Sequence, residues 1–79
     1  MEIVVYIQAT NREYNLNDPA DLLWMREDLT KIGFFSYPEN KQYWGMFTRV
    51  AKKEEVEDLM NSIKLYEIKS KRCVPRRAD

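Results

Sequence analysis

The chain has 79 residues, 44% of them hydrophobic and 33% charged, with thirteen basic side chains balancing thirteen acidic ones. One small domain is implied, and with so little core available each large apolar side chain must be buried or be exposed for a reason. The absence of histidine and the single cysteine, Cys73, remove the commonest general base, the commonest zinc ligand and any internal disulfide. Zero formal charge argues against the basic field that dominates nucleic-acid affinity, although a local patch is compatible with it. No stretch approaches the ~20 apolar residues of a membrane span, and the N-terminus lacks a signal-peptide pattern, so a cytosolic protein with no membrane partner is expected.

Glu2–Ala9 is rich in β-branched residues and free of breakers, which predicts a central strand. Its stripe Ile3, Val5, Ile7 and Ala9 should face the core, leaving Val4, Tyr6 and Gln8 on the other side. Thr10–Asp18 is a polar loop in which Glu13–Leu16 can fold back as a short hairpin strand. Asp18 as N-cap, Pro19 at the first helical position and Asp21 in the first turn then start a helix. Leu22, Met25, Leu29 and Ile32 share one stripe of it, and Gly33 is placed to end it.

Phe34–Tyr37 and Lys41–Val50 are predicted as two strands joined by a turn at Pro38-Glu39-Asn40. Ala51–Lys64 is predicted as a helix burying Val56, Leu59, Met60 and Ile63, with acidic residues early where the helix dipole favours them. Leu65–Val74 alternates Tyr66, Ile68 and Ser70 against Glu67, Lys69 and Lys71 and stops at Pro75, which suits a last strand. A mobile basic tail is expected beyond it.

The resulting order, β-α-β-β-α-β, predicts a ferredoxin-like sandwich: a four-stranded antiparallel sheet with two helices on one face. An extra strand at Glu13–Leu16 would give a five-stranded variant. Two helices cover one sheet face, so the other is free for function. With Trp44, Met46 and Val50 turned inward, that open face would show Tyr6, Tyr43, Gly45, Phe47 and Arg49, with Lys69 and Lys71 at its margin. Inverted parity would instead bury Tyr43 and Phe47 and expose Trp44.

Trp24 falls about 200° from Leu22 on the helical wheel, on the face that should be wet, between Glu27, Asp28 and Lys31. It is either an interface anchor beside Leu23 or is buried locally by Tyr14 and Leu16; for a domain short of core, local burial is preferred. Glu54, Glu55, Glu57 and Asp58 form an acidic strip best read as a solvated helix face. Lys69, Lys71, Arg72, Arg76 and Arg77 make a basic end of opposite sign. Cys73 lies among these cations as an incidental residue near a strand end.

Catalytic templates fail for want of parts. Two glycines cannot build a phosphate loop, there is no Ser-His-Asp or Cys-His set, and Asp18 and Asp21 are explained by capping. No enzyme activity, cofactor or metal is expected.

Val5-Tyr6-Ile7 resembles the start of the first-strand motif of RNA-recognition domains. Lys41-Gln42-Tyr43-Trp44-Gly45-Met46-Phe47 is similar in composition, though not in order, to their third-strand signature. That resemblance implies single-stranded RNA or DNA stacked on Tyr6, Tyr43 or Phe47. The opening strand and Gly33-Phe34-Phe35 are also similar to the small nucleases of CRISPR adaptation, but Gln8 and Ala9 stand where those need an acidic residue.

The preferred expectation is a non-enzymatic modulator, in the style of phage or mobile-element proteins that redirect host machinery. It would inhibit or adapt another protein through Tyr6, Tyr43, Phe47 and Arg49, or through the Trp24 edge. A nucleic-acid binder and a homodimer using the open sheet face are the alternatives.

Overall fold

A computed structural model describes residues 2–49 and 51–69. Two strands, β1 (Val4–Ile7) and β2 (Arg12–Asn15), form an antiparallel hairpin in which Val5 pairs with Tyr14 and Tyr6 with Glu13. Asn11 closes its turn at φ 55°, a left-handed conformation that asparagine tolerates, with its N–H on the Ile7 carbonyl at 2.8 Å. The period-2 pattern holds: Val5, Ile7 and Tyr14 point into the core while Val4 and Tyr6 face out. Glu13–Leu16 does fold back, as the short-strand alternative anticipated, and its strand is β2.

Helix α1 (Pro19–Lys31) starts as its sequence dictates. The Asp18 carboxylate accepts the Ala20 N–H at 3.0 Å, and Pro19 occupies the first turn, where its missing N–H costs nothing. Asp21 does more than complement the dipole: its Oδ2 accepts the Asn15 N–H at 2.7 Å and so fastens the hairpin to the helix. Leu22, Met25 and Leu29 are buried, with Ile32 packed behind them. Gly33, at φ 84°, ends the helix with its N–H on the Thr30 carbonyl.

The ferredoxin-like sandwich does not form: the sheet has two strands rather than four, and most of the described chain is helical. Where two strands were predicted, Phe34–Ser36 and Pro38–Thr48 wind in 3-10 turns. A 3-10 helix has three residues per turn, so positions three apart eclipse. Phe34, Tyr37, Asn40, Tyr43 and Met46 recur at that spacing and all face inward, fully or in part. Short polar side chains reinforce the winding by bonding the carbonyl three residues back: Ser36 Oγ to Gly33, Gln42 Nε2 to Glu39 and Thr48 Oγ1 to Gly45.

Helix α2 (Lys53–Lys69) runs past the predicted end at Lys64 through half of the expected last strand. Tyr66 continues the buried row of Val56, Leu59 and Ile63, and its hydroxyl donates to the Ile32 carbonyl at the end of α1. The remainder of that predicted strand, with Lys71 and Cys73, and the expected tail lie outside the described residues. Glu55 in the first turn of α2 accepts the Lys52 N–H at 3.0 Å, one half of a capping box. Buried Asn40 joins the 3-10 segment to α2, donating to the Phe34 carbonyl at 3.0 Å and accepting from Ser62 Oγ. Across the molecule, the Ala9 N–H donates to Glu67 Oε2 at 2.9 Å and ties the hairpin turn to α2.

Candidate functional site

With no four-stranded sheet there is no open sheet face, and the side chains expected to share one are dispersed. Phe47 is 1% exposed and part of the core, stacked edge-to-face on Phe35 with ring centroids 6.0 Å apart. Tyr43 is half-buried against the core, its hydroxyl on the Asp58 carbonyl. Met46 is buried as predicted, whereas Trp44, expected inward, is exposed. Turns of three residues place 43 and 46 inside and leave 44 and 45 outside, which a strand cannot do; that period does not account for Phe47, buried three residues after exposed Trp44.

Tyr6 is exposed on the outer face of the hairpin, where its hydroxyl donates to Asn11 Oδ1 at 2.8 Å. Neither Arg49, expected on that face, nor Lys69, expected at its margin, is free. Arg49 grips Glu55 with two bonds of 2.9 and 2.6 Å, and Lys69 pairs with Glu39 at 3.0 Å while lying over the Tyr37 ring. Those pairs hold the Glu55 carboxyl down at about 2, through Arg49 and then the Lys52 N–H, and the Glu39 carboxyl below its usual range, chiefly through Lys69. Tyr43 and Arg49 do converge on a shallow cleft of about 280 Å³, but the Arg49–Glu55 pair on its wall is already mutually satisfied.

The residues that α1 turns to solvent form a different arrangement. At about 100° per residue, Leu23 lies between Trp24 on one side of the exposed face and Arg26 on the other. Trp24 is 55% exposed and Leu23 44%. Tyr14 and Leu16 do not cover Trp24: both are buried in the core, and Arg12 of β2 lies over the indole instead, its guanidinium carbon 5.0 Å from the ring centroid. The Arg12 Nε is 3.4 Å from Asp28 Oδ2, the oxygen to which the Tyr14 hydroxyl also donates at 2.7 Å. Burial raises the Tyr14 phenol to about 12, with the Asp28 carboxylate adding to that rise and the Thr10 hydroxyl, 2.7 Å away, opposing it.

On the other flank Arg26 lies over Trp44 at 4.9 Å, and Trp44 stacks edge-to-face on Phe35 at 5.0 Å. Both exposed indoles therefore have fixed neighbours: Trp24 follows Leu23 on α1, and Trp44 of the 3-10 segment lies against Arg26 of the same helix, a belt of three exposed apolar side chains linked through α1. Trp24 and Leu23 were legible as outward positions on a helical wheel. Trp44, Arg12 and Arg26 were not, because their placement depends on the 3-10 winding and on how the hairpin docks.

Leu65 and Ile68 are also exposed, at the end of α2 where the described residues stop. Among the described residues no cluster of three or more acidic or cysteine side chains could hold a metal ion, and no helix is long and apolar enough to cross a membrane. In comparisons with known proteins, no family model, no curated protein and no solved structure matches this chain.

Proposed function

We propose that this chain is a non-enzymatic binding domain that acts by occupying a surface of another protein, with the belt of Trp24 and Leu23 on α1 and Trp44 against its Arg26 as its docking face. The observation that supports this is the exposure of three large apolar side chains along one helix, Trp24 and Leu23 on it and Trp44 against its Arg26, in a domain that has few to spare. Trp and Arg are the residue types that contribute most once an interface is desolvated, and each indole here already has an arginine over it. Pre-set rotamers lower the ordering cost of association. These side chains are already about half covered, so completing their burial contributes half of the ~1.5–3 kcal/mol of a full burial each, enough for a modest contact.

A nucleic-acid reading has lost its platform, since Tyr6, Tyr43 and Phe47 no longer share a face. The same helix face also carries the Glu27 carboxylate, which repels a phosphate backbone. Partner capture from cell lysate with mass-spectrometric identification tests the proposal, comparing the wild type with Leu23→Ser/Trp24→Ala. Loss of specific partners in the variant, with its fold intact by circular dichroism, is the expected result. Equal recovery by both proteins, or oligonucleotide binding as the only activity at ~50 mM salt, would remove it.

A further inference from the structure

Arg26 stands apart from the other arginines among the described residues. Arg12 is paired with Asp28 and Arg49 with Glu55, but the Arg26 side chain makes no hydrogen bond or ion pair with any described residue and lies only over Trp44. Its helical neighbours explain this: the positions three and four away are Leu22, Leu23, Leu29 and Thr30, none of them acidic. A guanidinium held over an indole face by cation–π attraction uses none of its N–H donors in that contact, and its fork geometry fits a carboxylate with two parallel bonds.

Resting on the docking face proposed above, we infer that the belt recognises a peptide segment bearing an Asp or Glu side chain beside aliphatic or aromatic residues. The carboxylate pairs with Arg26, and the apolar side chains pack on Leu23 and the two indoles. The partner chemistry follows from complementarity: an unpaired guanidinium calls for a carboxylate, and the apolar Leu23 and Trp44 next to it call for apolar neighbours to that anion. A polyphosphate or an extended acidic tract fits less well, because Glu27 projects from the same face.

The test is selection of random linear peptides displayed on the wild-type protein, followed by affinity measurements for the enriched peptides. Enriched sequences should place Asp or Glu next to Leu, Ile, Phe or Trp, and Arg26→Gln should weaken their binding about tenfold or more. Arg26→Lys keeps the charge but not the planar fork and should recover only part of that loss, while added salt should weaken wild-type binding more than that of Arg26→Gln. Enriched peptides without a carboxylate, or peptides that bind Arg26→Gln as well as wild type, overturn the inference. If those peptides still lose affinity in Leu23→Ser/Trp24→Ala, the docking face stands and only its acidic specificity fails. Peptides indifferent to both sets of changes, or no enrichment at all, overturn both.

Discussion

The aromatic residues of this chain fall into two groups with opposite fates. Phe34, Phe47 and Tyr66 are sealed inside, with Phe35 and Tyr37 packed against them and edge-to-face contacts linking the set, and they hold the 3-10 segments between α1 and α2. Trp24 and Trp44 are of the same chemical kind yet stay in solvent, each against an arginine. The first group supports the fold; the second contributes little to it and is free to contact something else. Residue type alone does not separate them, because what differs is whether the ring lies on the core-facing or the outward side of its own helix or 3-10 turn.

The sharpest way to break this contrast is Phe47→Ala, which should cost about 3–5 kcal/mol in urea or thermal unfolding, as expected for a fully buried ring. Trp24→Ala should cost much less, about 1 kcal/mol, because more than half of the side chain is already in solvent and its cation–π contact with Arg12 is an exposed one. If the two variants unfold alike, the division between structural and free aromatics is wrong. Asn40→Ala comes next at about 1–3 kcal/mol, because it leaves the Phe34 carbonyl and Ser62 hydroxyl without their buried partner. Gly33→Ala should follow at about 1–2 kcal/mol: space is available there, but the backbone at φ 84° disfavours a side chain.

Two smaller effects are read as pH dependence. Tyr14 has a folded-state value of about 12 against an ordinary 10, so the native state holds the phenolic proton more tightly. Stability should be full below pH 10 and decline as the pH rises through about 12, and Tyr14→Phe should flatten that decline in alkaline unfolding curves. Glu55 runs in the opposite direction: its carboxyl falls from 4.5 to about 2 on folding, so its contribution is full above 4.5 and disappears as the pH drops toward about 2. Glu55→Gln should flatten the acid limb, by less than Tyr14→Phe changes the alkaline one, because the Arg49–Glu55 pair lies at the surface.

Local signals were fully legible wherever a segment's own chemistry closes the question. Asp18-Pro19 starts α1 and Gly33 stops it, and the row Leu22, Met25, Leu29 identifies its buried side before any tertiary contact is known. Trp24 was readable as an outward position for the same reason, since a helical wheel depends only on a fixed rotation per residue. Phe34–Thr48 reads as strand because aromatic residues suit strands, and Pro38-Glu39-Asn40 serves a hairpin turn and a 3-10 start equally well. The period of three was present in 34, 37, 40, 43 and 46, but polar Asn40 interrupts it for any scan that seeks apolar residues. At Leu65–Lys69 the alternation of Tyr66 and Ile68 suggested a strand, while the same Tyr66 fits the helical row of Val56, Leu59 and Ile63; the contact with the end of α1 favours the helix.

The sequence by itself determined the capped first helix, the hairpin's inward stripe and the buried row along α2, because each follows from short-range sterics, hydrogen bonding and a repeating period. Only the tertiary structure decided which aromatics are interior, that Arg12 and Arg26 lie over exposed indoles, and that Arg26 alone among the described arginines is left without a carboxylate. These depend on segments far apart in the chain meeting across a shared core, where packing and buried hydrogen bonds override the weaker local preference for strand over helix.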